Sequence, residues 1–543
     1  MIAAERADSL SLARLLERLG PVILGVAIVY AFSNACKGKF LFDDELNIIR
    51  NTPLRTLWPI WVPMFPPGSS GTAGRPLTGL SLAINYAIDG LNPRWYHAGN
   101  LLIHWLGACT LLGILRRVFR LVGHAHAKGL ALAVCLVWAV HPLLTDAVTY
   151  ASNRSEVLMG LFFFLTVYTF LRAIDSEHPR RWLALSVACC LAAAASKEVG
   201  VMTTPAVLMI DALIVTRSWK QTFRRRWVYY LAMAGTMLIL PISLMTASFQ
   251  NIGVLAIKTA TPWQYLMMQS QIITRYLQLA FWPSPLCICY VDWPVPHRLA
   301  EVWPWMAFIG ALVLMTVYGL ARNRTWAALG LWFFLILGPT SSVLPIMAEP
   351  AGERRMYLPL VAVVCGTVLV IERVLRLVPH PGAVKAVATV LAVLTLGQVT
   401  LFRNEDFADR LSIWSDTIAK RPNNPRAHYA LGQELAVQGY EEGALSEYDK
   451  ALAIAPSYRE PVVPRIISLS KLGRTQEALA TTMAQLQLHP DDPDLLTVLG
   501  SVYFEEGDHA RAKQVWRSVL KLKPNDAEAA RLLDEANKRD PAS

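Results

Sequence analysis

"LGPVILGVAIVYAFSNAC", residues 19–36, is an apolar run of the length that crosses a bilayer as a helix, roughly 17–25 residues. It leads into "KFLFDDELNIIRN", residues 39–51, where Asp43, Asp44 and Glu45 stand side by side just past the run. A plain membrane anchor has no use for three acids there. More apolar runs follow, so the first run is expected to stay as a span rather than leave as a cleaved signal.

Of the 543 residues, 54% are hydrophobic and 17% charged, against about a quarter charged in ordinary soluble proteins. The apolar excess lies before residue 402, and the remainder has a soluble composition. Two parts are therefore expected: a polytopic membrane domain over 1–402, with a large first external loop at 37–97, and a water-soluble domain over 403–543. The net charge of +11 does not point to nucleic acid, because the basic residues sit in short loops such as "RRVFR" (116–120), "HPRRW" (178–182) and "WKQTFRRRW" (219–227). That is how cytoplasmic loops of membrane proteins are marked. All eight cysteines precede residue 402, mostly inside apolar segments, and Cys287 and Cys289 are too close for a simple framework. No disulfide scaffold is expected.

Eleven spans are expected, near 19–36, 98–115, 129–147, 156–171, 182–195, 199–216, 228–246, 303–320, 326–345, 356–372 and 384–401. A further segment, 265–282, is apolar but holds Arg275 and several glutamines, so it crosses, re-enters or lies along the interface. If it does not cross, six basic regions share one side. These are the N-terminus (Arg6, Arg14, Arg18), the loops around Arg116–Lys128, Arg172–Arg181 and Arg217–Arg226, the pair Arg322 and Arg324, and Arg373–Lys385. The positive-inside rule then places the N-terminus in the cytoplasm and the C-terminal domain outside. The outer face receives the first loop, "HPLLTDAVTYASNRSE" (141–156), "SKEVG" (196–200), the 247–302 region and "EPAGERRMYLP" (349–359). Ionisable groups at a membrane are functional candidates; solvated loop charge is the competing reading.

The C-terminal part is periodic. Pro422, Pro456, Pro490 and Pro524 are each 34 residues apart, as are Gly439, Gly473 and Gly507, and Ala444, Ala478 and Ala512. This is the tetratricopeptide period: two amphipathic helices per unit, small residues where they cross, glycine at the turn and proline at the end. About three repeats are expected over 425–526, with a partial first repeat before them and a capping helix at 526–538. The middle copy carries Pro461 and Pro464 in its first helix. Such repeats bind proteins or peptides along a concave face.

In order, "FDDELNIIRN", "GRPLTGLSLAINYAIDGLNPRWYHAGNLLIHW", "VHPLLTDAVTYASNRSEVLMGLF", "SKEVGVMTTPAVLMID", "FWPSPLCICYVDWPVP" and "ERRMYLPL" resemble the transmembrane and tetratricopeptide-repeat-containing family of protein O-mannosyltransferases. The likeness covers nearly the whole chain, repeats included, although this chain has fewer repeats than larger members, and its short N-terminus and compact loops look bacterial. The resemblance implies an all-α fold, a GT-C-like transmembrane helical domain followed by a short tetratricopeptide solenoid. It implies transfer of a sugar, mannose or similar, from a polyprenyl-phosphate carrier to a protein hydroxyl. It implies an inner-membrane protein whose repeats are extracytoplasmic and take the acceptor. Beyond that donor lipid no cofactor is expected, and a divalent metal is left open; no spacing resembles a compact zinc site.

In that class the general base is an acid in the first external loop, which assigns Asp43 or Asp44. A carboxylate there would accept the proton of the acceptor hydroxyl; an Asx-type cap on "DELNIIRN" is the competing reading. The lipid phosphate calls for cations, and arginine grips phosphate with a planar fork. Arg354, Arg355, Arg154, Lys197 and Arg75 are the donor-side candidates. Glu353, Tyr357, His141, Asp146, Glu156 and Asp292 are supporting ones. Lys197 and Glu198 could instead pair locally, and His97, His104 and His141 could be packing or capping histidines. The helix "RPLTGLSLAINYAI" could lie on the outer leaflet. The competing function is a membrane-anchored scaffold whose repeats organise an envelope complex.

Overall fold

The computed structural model describes residues 18–67, 70, 72–239, 241, 259–342, 344–376 and 379–539. Arg6, Arg14, the end of the expected 228–246 span and the start of the 247–302 region lie outside the described residues. Among the described residues every regular element is a helix, as an all-α membrane and repeat protein requires.

A helix stands at each of the eleven expected span positions. Among the described residues five are both long and apolar enough to cross a bilayer: Pro93–Val122, Ala151–Ile174, Glu198–Val215, Trp303–Ala321 and Pro381–Asp406. The expected 129–147 span is a broken one, Ala127–Ala139 and Pro142–Thr149 meeting at 58°. Pro142 has no N–H to continue the first helix and suits the start of the next. His141 caps that start, its Nδ1 accepting the Leu143 N–H at 3.2 Å. The chain is a multi-pass membrane protein.

Local signals fix the ends of these helices. Pro93–Val122 begins after Asn92, whose side chain accepts the Arg94 N–H, and ends at Gly123 with φ 86°, a left-handed stop that glycine adopts without strain. Segment 265–282 is the helix Pro262–Phe281, opened by a Thr261–Gln264 capping box. Its polar side chains are spent on one stretch of chain. The hydroxyl of Tyr265 reaches the Thr340 carbonyl at 2.9 Å, the amide of Gln269 the Pro350 carbonyl at 3.0 Å, and Tyr276 Oη accepts from the Gly352 N–H at 2.8 Å. This helix therefore props residues 340–353.

The described chain forms two compact units. One is the chain up to Ile288 with Trp293–Ser412, and the other is Cys289–Asp292 with Ile413–Ser543. The expected boundary at 402 falls inside the helix Pro381–Asp406. Asn404 is buried in the membrane unit, donating to the Ala31 carbonyl at 3.0 Å and accepting from Thr149 Oγ1 at 2.7 Å. The side chains past 402 still belong to the helix packing.

In the second unit, helices Pro425–Val437, Glu441–Ile454, Val462–Lys471, Thr475–Leu488, Pro493–Glu505 and His509–Leu522 make three hairpins. Arg410–Lys420 stands before them and Ala527–Arg539 after them. Gly439, Gly473 and Gly507 sit at φ 83°, 72° and 85°, so the 34-residue glycine spacing marks turns that side chains would strain. In two hairpins a large ring packs on a glycine, Tyr448 on Gly432 and Trp516 on Gly500. The middle hairpin exchanges the sizes: Ile466 and Thr482, at the equivalent positions, are both fully buried. Pro461 and Pro464 do not break its first helix, because they fall before and within its first turn, where the N–H groups have no helical partner.

Candidate functional site

The three acids after the first span have three different roles. Asp44 is completely buried. Its Oδ2 accepts the Leu41 N–H at 2.8 Å, and its Oδ1 accepts both the N–H of Ser152, at 2.7 Å, and the Ser152 hydroxyl. Burial outweighs these donors and pushes its pKa up to about 7. Asp44 thus ties the first loop to the 150–153 turn, and its oxygens are occupied. It stands as the N-cap of the turn Glu45–Ile49 without capping it through its side chain. Glu45 pairs with Arg410 and Arg50, each at 2.9 Å, and the Arg410 hydrogen bond leads in holding its carboxyl below the usual range.

Asp43 is half-buried. Its backbone N–H donates to Tyr150 Oη at 2.6 Å, and its charge is among those that reach Arg354. Asp43 is therefore the acid of the three that belongs to a wider charge cluster.

Arg354 is the centre of that cluster. Its guanidinium pairs with Glu349 and lies 3.6 Å from Asp146 Oδ2, and the same oxygen takes the Arg354 backbone N–H at 3.1 Å. Burial disfavours its charge, but Glu349, Asp146, Asp43 and Glu156 together outweigh that and hold it above the usual arginine range. Arg75 grips Glu198 with two donors at 3.0 and 3.3 Å. Glu198 leads in raising its pKa, while Arg354 and Glu156 also act on it. Lys197 pairs with Glu156. The competing reading, a local pair of Lys197 with Glu198, gives way to Glu156, because extended backbone at Lys197 (φ −159°, ψ 147°) sends neighbouring side chains to opposite sides. Three cations thus share one region with five carboxylates: Asp43, Asp146, Glu156, Glu198 and Glu349. Arg354 and Lys197 keep 18% and 14% of their side chains exposed.

The remaining candidates divide. Arg154 is not in this cluster. It is buried, donating to Asn100 Oδ1, to Ser81 Oγ at 2.8 Å and to the Tyr96 carbonyl at 2.8 Å, which makes it a strut between helices rather than a phosphate ligand. Arg355 spends its fork on the carbonyls of Thr340, Pro350 and Glu349, so it shapes the loop that carries Glu349. Glu353 is buried and accepts the Cys287 N–H. Tyr357 is core. It bonds His104 at 2.9 Å through its hydroxyl and packs its ring on Gly160, so it does not stand beside Arg354 as a second polar contact. His141 has both ring nitrogens engaged, the second on the Ala280 carbonyl at 3.0 Å, and His97 bonds the carbonyls of Thr149 and Gly38. Asp292 pairs with Arg421 at 2.7 Å inside the repeat unit. Three contributors went unread in the sequence: Glu349, Tyr150 and Ser152. Glu349 lies in the quoted "EPAGERRMYLP", where its acid was the available signal; Tyr150 and Ser152 lie in the quoted "HPLLTDAVTYASNRSE", where their uncharged hydroxyls did not single them out.

Comparison with known proteins places this geometry in context. Residues 103–245 match the family described as dolichyl-phosphate-mannose-protein mannosyltransferase, and residues 399–459 and 469–536 match tetratricopeptide repeat families. Similar proteins include protein O-mannosyl-transferase F38B6.6 of Caenorhabditis elegans, 22% identical over 81% of this chain and 63% of its own length. Human protein O-mannosyl-transferase TMTC1 is 23% identical over 80% of this chain and 55% of its own. The chain thus spans between about half and two thirds of the length of these relatives. Among solved structures, ArnT from Cupriavidus metallidurans bound to undecaprenyl phosphate aligns with a TM-score of 0.40 at 13% identity, covering 86% of this chain and 80% of that one. The chain is therefore similar to protein O-mannosyl-transferases, in agreement with the resemblance carried by its motifs.

Proposed function

We propose that this chain is an integral membrane glycosyltransferase that moves a sugar, mannose or one like it, from a polyprenyl-phosphate carrier to a protein hydroxyl. The observation that carries the reading is the position of Asp43, a half-buried carboxylate whose charge reaches the partly exposed Arg354. A base and a phosphate-binding cation in one region are what such a transfer needs. The similarity to protein O-mannosyl-transferases supports the same chemistry.

In this reading Asp43 accepts the proton of the acceptor hydroxyl as its oxygen forms the new bond to the anomeric carbon. The bond from that carbon to the carrier phosphate breaks, and the phosphate oxygen leaves with the electron pair. Arg354 takes up the charge of the leaving phosphate, displacing Glu349 from its fork, and Arg75 and Lys197 flank it. Asp44 is a positioning residue that fixes the backbone on which Asp43 stands. The repeats bind the acceptor chain and lie, with the first loop, on the extracytoplasmic side of the inner membrane.

The test is transfer itself. Purified full-length protein, given polyprenyl-phosphate mannose and extracytoplasmic protein from cells lacking the gene, should yield protein-linked hexose by mass spectrometry. No transfer by a folded protein, with no difference between membranes that have and lack the chain, would overturn the reading in favour of a scaffold.

A further inference from the structure

Helices Pro93–Val122, Ala327–Leu337 and Leu360–Leu375, with the turn Asp211–Val215, leave a cleft of about 200 Å³ between them. Its walls include Leu115, Phe119, Ile214, Leu329, Trp332 and Leu369. A cleft lined almost wholly by apolar side chains favours apolar guests. Its lining runs from Val361 to Leu369 on one helix and from Leu111 to Val122 on another. At 1.5 Å per residue that is a length of roughly 12–16 Å. An apolar lining over that length suits a hydrocarbon chain.

Basic residues stand beside one end of the cleft. His124 and Thr325 line it there, and Arg217 brings Nη2 to 3.5 Å from the Leu121 carbonyl. Arg217 holds φ 53°, a left-handed conformation that long side chains rarely adopt and that glycine would take without strain. Exposed Arg322 and Arg324 flank Asn323, itself at φ 50°. Two buried acids stand on the helices that line the cleft, and both are already paired: Asp211 with Arg226 at 2.8 Å, and Glu372 with Arg376 at 2.8 Å and Lys385 at 3.3 Å. This end lies at the far end of the helix Leu360–Leu375 from Arg354, so it is separate from the charge cluster.

We propose that the cleft holds one acyl chain of an anionic phospholipid from the leaflet beside these basic loops, with the lipid phosphate held by Arg217 and Arg324. Basic pockets between membrane helices bind anionic headgroups, and charge complementarity selects the anionic lipid over a zwitterionic one of equal tail.

The test uses full-length protein in detergent, with thermal unfolding followed on addition of phosphatidylglycerol, phosphatidylcholine of the same chains, or a polyprenyl phosphate, and native mass spectrometry to count retained lipid. Phosphatidylglycerol should raise the midpoint by a few degrees and phosphatidylcholine much less. Leu329→Trp, which fills the cleft, should abolish both the shift and the retained lipid; if it does not fold, Ala328→Leu serves. Arg217→Gly should raise the half-saturating phosphatidylglycerol concentration about tenfold, the loss of one charged contact, without lowering the lipid-free midpoint. Equal response to the two phospholipids would overturn the proposal. So would a filled cleft that still answers to phosphatidylglycerol, or one that loses only polyprenyl phosphate.

Discussion

Arg354 and Asp146 are locked to each other twice: one carboxylate oxygen of Asp146 takes the Arg354 backbone N–H at 3.1 Å and faces its guanidinium at 3.6 Å. Asp146 therefore fixes where the arginine begins, while Glu349 holds where it ends. On the proposed function, Arg354→Lys should weaken use of the lipid-linked donor, because a point charge would replace a two-pronged grip. Steady-state kinetics should show KM for the donor rising tenfold or more, on the order of the 1.4 kcal/mol that separates decades. An unchanged donor KM would remove Arg354 from the phosphate site.

Asp43→Asn should lower transfer by on the order of a hundredfold or more, the usual range for losing a general base, with the unfolding midpoint unchanged. The amide keeps the shape and cannot accept the proton. Full activity in this variant would return the first-loop acid to a structural role.

Asp44 should report through stability instead. An ordinary carboxyl titrates near pH 4, and burial sets this one at about 7. Between those values the folded chain keeps a proton that the unfolded chain has lost. The stability it confers is present at about pH 4 and is lost as pH rises to about 7, on the order of 4 kcal/mol in all. Denaturant unfolding of wild type and Asp44→Asn at pH 4.5 and 7.5 tests this. The wild type should lose more stability across the interval than the variant, and equal slopes would refute it.

Arg154→Met should cost roughly 3 kcal/mol or more, because two buried acceptors, on Asn100 and Tyr96, and a half-buried one on Ser81 lose charged donors. Its surviving folded fraction should show the wild-type donor KM. A raised KM with a normal melt would put Arg154 back at the phosphate.

A Cβ at Gly500 would run into the Trp516 indole. Gly500→Ile should destabilise the repeats by about 1–3 kcal/mol, and Trp516→Thr in the same chain should restore part of it. That double change copies the middle hairpin, where Ile466 and Thr482 already occupy these positions. Calorimetry that showed no recovery would mean the hairpins pack independently of this size match.

The fold was legible where physics repeats itself along the chain: apolar blocks gave the helices, and the 34-residue spacing of Gly439, Gly473 and Gly507 gave the hairpins. The charge cluster was legible where ionisable side chains stand at a membrane edge, which is why Asp43, Arg354, Arg75 and Lys197 could be named as candidates. Pairing was not legible. Whether Arg154 meets a ligand or three helix acceptors depends on helix packing that no local pattern encodes. The same holds for Lys197, which passes over Glu198 to reach Glu156, and for Ser152, whose bond to Asp44 spans 108 residues.

The short stretch Cys289–Asp292 belongs to the repeat unit although it is translated long before it. Its Cys289 carbonyl receives the Asn424 amide at 3.1 Å, Tyr290 lies under the Arg421 guanidinium, and Asp292 holds that arginine's Nε. The solenoid is therefore not a cassette that can be clipped off at residue 413 or traded whole between proteins. A chain still on the ribosome has already made one edge of the repeats before the first repeat exists, and that edge waits for its complement until synthesis is nearly done.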